Sequence, residues 1–261
     1  MSLPIKLIST DFDGTIYAEL ENPPVAAQFT GLIGALQAQG VKWVINTGRD
    51  MPGLMDALAH ARLPVRPDFL VLVEREIHFH EGSRYVAFDD WNGECERAHR
   101  DIFRQLRQDV PRLAAWINAR FKATIYEDPY SPFCLLADNN ADAGVIHEYL
   151  DGYCRGVPPL TVVRNDVYTR LAHADYNKGS ALAEIARRQG LGPEHIFAAG
   201  DHLNDLPMLL QSRARWLATN ANAIGPVKDS VRRAGGYVSR HRHGRGVADA
   251  LGHFLELAKG K

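Results

Sequence analysis

A small group of polar residues stands where apolar runs end or where predicted helices begin. Asp11 and Asp13 follow the first apolar run of the chain, and Asp201 follows another run near its far end. The same group includes Thr47 after a second apolar run, Lys178 at a helix start, and Asn204 and Asp205 at the next helix start. Carboxylates supply the hard oxygen ligands that Mg²⁺ prefers, and a carboxylate can also attack phosphorus to form an aspartyl-phosphate. These residue types therefore point to phosphoryl chemistry at a magnesium site.

Each member of the group has a chemical role in such a reaction. Mg²⁺ bound by Asp11 and Asp201 would hold the attacking oxygen near the phosphoryl oxygens and spread the developing charge. A hydroxyl hydrogen bond from Thr47 and the compact charge of Lys178 would hold the phosphoryl group. Asp13 is placed to protonate the leaving alcohol and then to accept a proton from water, which is worth roughly 10²–10⁴-fold in rate.

Strand and helix patterns alternate along the first part of the chain. Short apolar runs predict strands, and apolar residues at helical spacing predict helices. The predicted strands are Lys6–Thr10, Val41–Asn46 and Phe69–Val73, and the predicted helices are Val25–Gln39 and Met51–Ala61. Continuous apolar strands separated by helices are typical of a parallel sheet covered on both faces.

The alternation returns near the far end of the chain. There the pattern predicts helices at Gly179–Gln189, Asn204–Leu210 and Gly246–Leu257, and strands at Ile196–Gly200 and Trp216–Ala218. Residues 1–81 and 176–261 are therefore expected to form one α/β domain with a doubly wound, mostly parallel, Rossmann-like sheet. Ligands of such sheets bind beyond the carboxyl ends of the strands, so the polar group should meet in one crevice.

The segment 82–175 has a different pattern and predicts an inserted α+β domain with an antiparallel sheet. Its predicted strands are Arg84–Asp89, Ala123–Glu127, Phe133–Ala137, Leu160–Arg164 and Tyr168–His173. Its predicted helices are Glu94–Asp109, continuing toward Arg120, and Ala141–Tyr153.

Four short motifs, in order, resemble those of the haloacid-dehalogenase-like (HAD) hydrolase superfamily. They are DFDGT at 11–15, TGR at 47–49, KG at 178–179 and GDHLND at 200–205. The insert resembles the C2-type cap of subfamily IIB, which includes Cof-like and sucrose-phosphate-phosphatase-like enzymes. The resemblance implies an Mg²⁺-dependent phosphatase acting on a small phosphorylated metabolite, most often a sugar phosphate, with the cap setting specificity.

The resemblance also implies roles residue by residue. Asp11 would be the nucleophile and Asp13 the general acid and base. The metal would be bound by the carboxylates of Asp11 and Asp201 and by the backbone carbonyl of Asp13. The phosphoryl-binding residues would be Thr47, Gly48, Arg49 and Lys178, and support for the metal site would come from Asn204 or Asp205.

Some positions are open or depart from the usual motifs. Arg49 would contact substrate, contact the cap, or brace its own loop by a salt bridge. His202 stands where a small residue often follows the motif Asp, and the segment 74–76 reads Glu-Arg-Glu where Asn-Gly is common. We expect neither departure to touch the core chemistry. The basic run at 240–245 is expected to be a solvated loop rather than a rim that binds an anionic substrate.

Other functions share parts of this residue set. Hydrolysis of carbon–halogen bonds is disfavoured, because it needs no acid such as Asp13 two residues after the nucleophile. Phosphotransferases and mutases use the same aspartyl-phosphate, and the acceptor of the phosphoryl group distinguishes them. A non-catalytic signalling or binding protein is a further alternative, although receiver domains lack both a long insert and an equivalent of Asp13.

Composition sets outer limits on the function. The 261 residues are 46% hydrophobic, and 30 basic and 31 acidic residues give a net charge of −1. This balance provides no global attraction for nucleic acid or an anionic membrane, and no apolar run approaches the ~20 residues of a membrane span. Three widely spaced cysteines and the lack of a signal-peptide pattern predict a cytoplasmic protein. The sequence does not indicate an oligomeric state.

Overall fold

Strands and helices alternate through most of the computed structural model, which describes residues 3–259. In chain order the strands are β1 (Leu7–Thr10), β2 (Lys42–Asn46), β3 (Phe69–Leu72), β4 (Glu76–Glu81), β5 (Arg84–Ala87), β6 (Ala123–Asp128), β7 (Ser131–Ala137), β8 (Leu160–Asn165), β9 (Tyr168–His173), β10 (Ile196–Ala199), β11 (Trp216–Thr219) and β12 (Tyr237–Val238). The helices are α1 (Ala27–Gln37), α2 (Met51–Ala61), α3 (Asp89–Asn118), α4 (Asn140–Arg155), α5 (Lys178–Arg188), α6 (Gly225–Arg233) and α7 (His243–Lys259).

The chain divides into two units. The first joins residues 1–88 to residues 178–261, and the second is the continuous segment 89–177. The polar group of the sequence analysis belongs entirely to the first unit.

An eight-stranded sheet forms the centre of the first unit. Its strand order is β12-β11-β10-β1-β2-β3-β4-β5. The six strands from β12 to β3 are parallel to one another. β4 pairs antiparallel with β3, and β5 pairs antiparallel with β4 at the edge of the sheet. Every residue of β1, β3 and β10 is buried, as expected for strands covered on both faces. The prediction of a mostly parallel α/β sheet is confirmed.

The register of β1 aligns the loops that carry the polar group. Thr10, the last residue of β1, lies level with Ala199 on β10 and with Ile45 on β2. The chain therefore leaves three neighbouring strands at the same edge of the sheet, although the segments concerned are far apart in sequence. Trp43, fully buried on β2, donates its indole N–H to the Thr10 hydroxyl at 3.1 Å and fixes this end of β1.

A hairpin lies where we expected the insert to begin. Arg84–Ala87 is β5 of the central sheet, pairing with β4 from Glu81 and Arg84 to His78 and Ala87. A two-residue turn at Gly82 and Ser83 connects the strands, and Gly82 has a φ of +59°, which glycine adopts at little cost. A Gly-Ser turn between polar strands favours local pairing, and Arg84–Ala87 therefore pairs with β4 rather than with strands of the insert.

The predicted helix at Asn204–Leu210 is wrong. A 3₁₀ turn at Leu203–Asp205 stands there instead, followed by further turns. Leu206 N donates to Leu203 O in an i→i−3 bond at 3.2 Å, and Pro207 has no N–H to donate to the same carbonyl in an α-helical bond.

The second unit has its own core. Its four-stranded antiparallel sheet, in the order β6-β7-β9-β8, packs against α3 and α4. Leu106 and Ile117 of α3, Phe133 of β7 and Ile146 of α4 are among its fully buried side chains. Within residues 3–259, no helix has both the length and the apolar composition to cross a lipid bilayer.

Close backbone contact fixes the start of α5. A Cβ atom added to Gly179 would lie 2.0 Å from the carbonyl oxygen of Pro207, so only glycine fits there.

We expect Gly179→Ala to lower the free energy of unfolding by about 1–3 kcal/mol through overpacking. Gly31→Ala is the matched control, because Gly31 is exposed on α1 with open space beside it. That change should stabilise by about 0.5–1 kcal/mol. Urea unfolding measures both, and an equal response of the two variants would contradict the close contact.

Candidate active site

The loop after β1 is built around a buried aromatic residue. Phe12 is fully buried and stacks on Tyr17 with ring centroids 4.7 Å apart. Its carbonyl oxygen accepts hydrogen bonds from the amides of residues 15, 16 and 17. Gly14 turns the chain with a φ of +74°. The loop is therefore rigid, with Asp11 and Asp13 on either side of an anchored residue.

A buried lysine joins two carboxylates. Lys178 Nζ lies 2.6 Å from Asp11 Oδ1 and 2.7 Å from Asp205 Oδ1, and all three side chains are buried. The backbone carbonyl of Lys178 accepts a hydrogen bond from Asn46 at the end of β2. Burial alone would lower the pKa of Lys178, but Asp11, Asp205 and then Glu74 raise it above its usual range. The ammonium group is therefore charged and fixed in position.

Asp201 follows β10 and contacts the first loop. Its Oδ1 accepts a hydrogen bond from the Thr15 hydroxyl at 2.8 Å. A Cβ atom added to Gly14 would lie 2.5 Å from Asp201 Oδ2, so the glycine also allows this approach. Burial, and next the charge of Asp205, raise the pKa of Asp201 to about 7. Burial and Asp205 likewise raise the pKa of Asp11 well above its usual range.

The carboxylates fit a hard cation. Oxygens of Asp11, Asp201 and Asp205 lie within 4.8 Å of one another. Asp205 is already occupied: Oδ1 binds Lys178, and Oδ2 accepts the amides of residues 201 and 202 at 2.8 and 2.9 Å. Asp11 and Asp201 are left as ligand donors. Burial, and next the charge of Asp205, raise the pKa of both groups and so disfavour their charged forms, and a bound divalent cation would offset this effect.

Asp13 and Arg49 form a bidentate salt bridge. Arg49 Nε and Nη2 donate to the two Asp13 carboxylate oxygens at 2.8 and 2.7 Å. The guanidinium also lies over the rings of Phe12 and Tyr17, and its Nη1 donates to Gly53 O at 3.2 Å. Of the three roles left open for Arg49, the contacts support bracing of its loop against Asp13.

Thr47 follows β2 and is buried. Its amide donates to Val71 O on β3, and its hydroxyl oxygen accepts the Arg49 amide at 3.1 Å. The hydroxyl hydrogen therefore remains available for an acceptor.

Sequence reasoning missed contacts that hold these groups. The Thr15 hydroxyl donates to Asp201, a contact that the motif at 11–15 does not reveal. Asn222 Nδ2 and His243 Nδ1 bind the Gly14 carbonyl at 2.7 and 3.0 Å, with no motif signal to reveal them. The Glu74 carboxylate contacts a candidate site residue, because Asn204 Nδ2 donates to Glu74 Oε1 at 2.9 Å.

Comparison with known proteins shows one family over almost the whole chain. Residues 4–255 match the family described as sucrose-6F-phosphate phosphohydrolase. The Bacillus subtilis protein YxeH is 23% identical over 97% of this chain and 99% of its own length. The phosphoglycolate phosphatase of Methanothermobacter thermautotrophicus is 32% identical, over 33% of this chain and 36% of that protein.

Solved structures share the fold. The sucrose-phosphatase of Synechocystis sp. PCC6803, solved with sucrose and phosphate, superimposes with a TM-score of 0.71 at 20% identity. The alignment covers 97% of this chain and 98% of that one. A haloacid dehalogenase-like hydrolase from Bacteroides thetaiotaomicron has a TM-score of 0.62 at 18% identity, covering 96% and 99% of the two chains.

The raised pKa of Asp201 makes the stability of the metal-free protein depend on pH. The folded protein holds a proton on Asp201 up to about pH 7, whereas the unfolded chain releases it near the ordinary pKa of 3.8. The free energy of unfolding should therefore fall, by a few kcal/mol, as pH rises from about 4 through about 7.

Urea unfolding in EDTA between about pH 5 and pH 8 tests this expectation. His147 and His173 have lowered pKa values from burial and contribute a slope of opposite sign, so the readout is the difference between variants. Asp201→Asn should gain stability relative to wild type as pH rises, while Asp56→Asn on the exposed face of α2 should not. A constant difference between Asp201→Asn and wild type would contradict the raised pKa.

Proposed function

Because the chain belongs to the sucrose-6F-phosphate phosphohydrolase family of HAD-like phosphatases, we propose that it hydrolyses a small sugar phosphate through an aspartyl-phosphate on Asp11, with Mg²⁺ as cofactor. The observation that carries the proposal is the placement of Lys178. Its ammonium group binds Asp11 at 2.6 Å, beside the carboxylates of Asp201 and Asp205. A carboxylate can attack phosphorus, and a cation beside it can stabilise the charge that develops on the phosphoryl oxygens.

In the first step, a carboxylate oxygen of Asp11 attacks phosphorus and the ester P–O bond breaks. The alcohol leaves with a proton from Asp13, while Lys178 and the Thr47 hydroxyl stabilise the phosphoryl oxygens. Both Asp13 oxygens accept hydrogen bonds from Arg49 in the resting protein. Proton transfer to the leaving alcohol therefore requires Asp13 to give up at least one of these contacts.

In the second step, water attacks the phosphorus of the aspartyl-phosphate and Asp13 accepts the proton of that water. Inorganic phosphate leaves and the Asp11 carboxylate is restored. The Thr15 hydroxyl keeps Asp201 oriented throughout, at 2.8 Å. When bound by Asp11 and Asp201, Mg²⁺ supplies positive charge that brings the nucleophile and the phosphoryl oxygens together.

A sugar phosphate is favoured by the family over the two-carbon acid named for some relatives. The family match extends over residues 4–255, whereas the phosphoglycolate phosphatase match covers 33% of the chain. The phosphoglycolate phosphatase match covers only about a third of the chain, so it does not include all of the residues that would select the leaving group.

Phosphate release from a panel of phosphorylated sugars, polyols and short acids tests the proposal. The wild-type chain should release phosphate with Mg²⁺ and not with EDTA, and Asp11→Asn should lose about 10⁴-fold or more because the nucleophile is gone. Asp56→Asn, the same change on the exposed face of α2, should keep wild-type activity.

Three outcomes would argue against this function. Full activity of Asp11→Asn would remove the aspartyl-phosphate from the mechanism. Efficient transfer to added alcohols instead of water would identify a phosphotransferase, and a long-lived phosphoryl-enzyme would favour a signalling role.

Asp13→Asn should separate the two steps. Without its acid, hydrolysis of alkyl phosphates should fall by roughly 10²–10⁴-fold. p-Nitrophenolate needs no proton to leave, so p-nitrophenyl phosphate should still give a rapid burst equal to the enzyme concentration, followed by slow turnover. Stopped-flow absorbance measures the burst, and equal losses with both kinds of ester would exclude Asp13 as the acid.

A further inference from the structure

A short strained segment lies beside the candidate active site. Val73 and Glu74 have φ values of +43° and +69°, in the left-handed region that favours glycine. Glu74 is nevertheless a charged residue with an exposed fraction of only 7%. Strain of this kind persists where the surrounding structure holds it, and it is concentrated at functional sites. Glycine at position 74 would avoid this strain, so the presence of a glutamate there needs an explanation.

Backbone contacts hold the segment against the second motif. Val73 N donates to Arg49 O, and Glu74 N donates to Thr47 O, both at 2.9 Å. These bonds fix the Glu74 backbone whatever its side chain. The identity of the side chain must therefore be explained by what the carboxylate touches.

The carboxylate of Glu74 touches Asn204. Asn204 Nδ2 donates to Glu74 Oε1 at 2.9 Å, and Asn204 is 7% exposed. A carboxylate only accepts hydrogen bonds, so it admits just one orientation of the amide, with the nitrogen toward Glu74. The carbonyl oxygen of Asn204 is thereby turned away from Glu74.

That carbonyl oxygen is buried without a partner. Among the described residues, Asn204 Oδ1 has no hydrogen-bond donor. Asn204 lies on the 3₁₀ turn between Asp201 and Asp205, whose carboxylates belong to the cation-binding cluster. Mg²⁺ usually keeps several waters, and such waters are donors that a buried carbonyl can accept.

We propose that Glu74 is a positioning residue for the cation site: it holds Asn204 so that Oδ1 accepts a hydrogen bond from a water of the bound divalent ion. The inference rests on the proposed function only in its use of Mg²⁺. It explains why a carboxylate occupies a backbone position where glycine would be less strained, because glycine leaves the Asn204 amide free to rotate.

Calorimetric titration of the EDTA-stripped, full-length protein with Mg²⁺ tests the proposal without any substrate. Glu74→Gly and Asn204→Ala should each weaken Mg²⁺ binding by about tenfold or more, the usual effect of removing a partner outside the metal ligands. Glu74→Gln, which keeps an acceptor but no longer enforces one orientation, should lose less. Arg62→Gly is the control for the backbone change, since Arg62 is also a non-glycine residue with positive φ but is exposed, and this variant should bind Mg²⁺ as wild type does.

The double variant Glu74→Gly/Asn204→Ala decides how Glu74 acts. If Glu74 works through Asn204, the double variant should bind no more weakly than Asn204→Ala alone. Additive losses would instead mean that the Glu74 charge attracts the cation directly, and would overturn the positioning role. Unchanged binding in both Glu74 variants would overturn it as well. Absence of Mg²⁺ binding by the wild type would overturn both this inference and the cofactor of the proposed function.

Discussion

A buried ammonium group organises the first unit. An ion with no solvent contact is costly unless opposite charge surrounds it, and Lys178 meets that condition through Asp11 and Asp205. These two salt bridges connect the first residue of α5 to the loop after β1 and to the turn after β10. Since apolar packing would be easier to bury, this arrangement is better explained by chemistry than by stability.

The loop that carries Asp11 is held from several directions. Thr15 binds Asp201, and the Gly14 carbonyl accepts hydrogen bonds from Asn222 and His243. Asp201 and Asn222 follow β10 and β11, and His243 begins α7 after β12. All three therefore lie beyond the carboxyl ends of parallel strands, and the sheet register brings them to one place. Because these contacts hold the loop, the Asp11 carboxylate needs little reorientation when a substrate binds.

Sequence patterns predicted the strands and the motif placement well, because both depend on local features. Lys178 at the start of α5 and Asp201 after β10 are examples of residues that local reading located. The β4–β5 hairpin, the turn at Leu203–Asp205 and the contact between Glu74 and Asn204 were not predicted. The Gly-Ser turn at 82–83 and the missing N–H of Pro207 are local signals that apolar periodicity does not report. The contact between residues 74 and 204 depends on a tertiary partner, which no local pattern reports.

The division of the chain has a consequence for folding during translation. The segment 89–177 is continuous and contains its own apolar core. The first unit is interrupted by it, and β1 must wait for β10, its neighbour in the sheet, to be synthesised. On the ribosome the inserted unit therefore has all of its partners first. Meanwhile β1 to β5 form a partial sheet whose β1 edge stays unpaired, exposed to aggregation and to chaperones, until β10 and the later strands emerge.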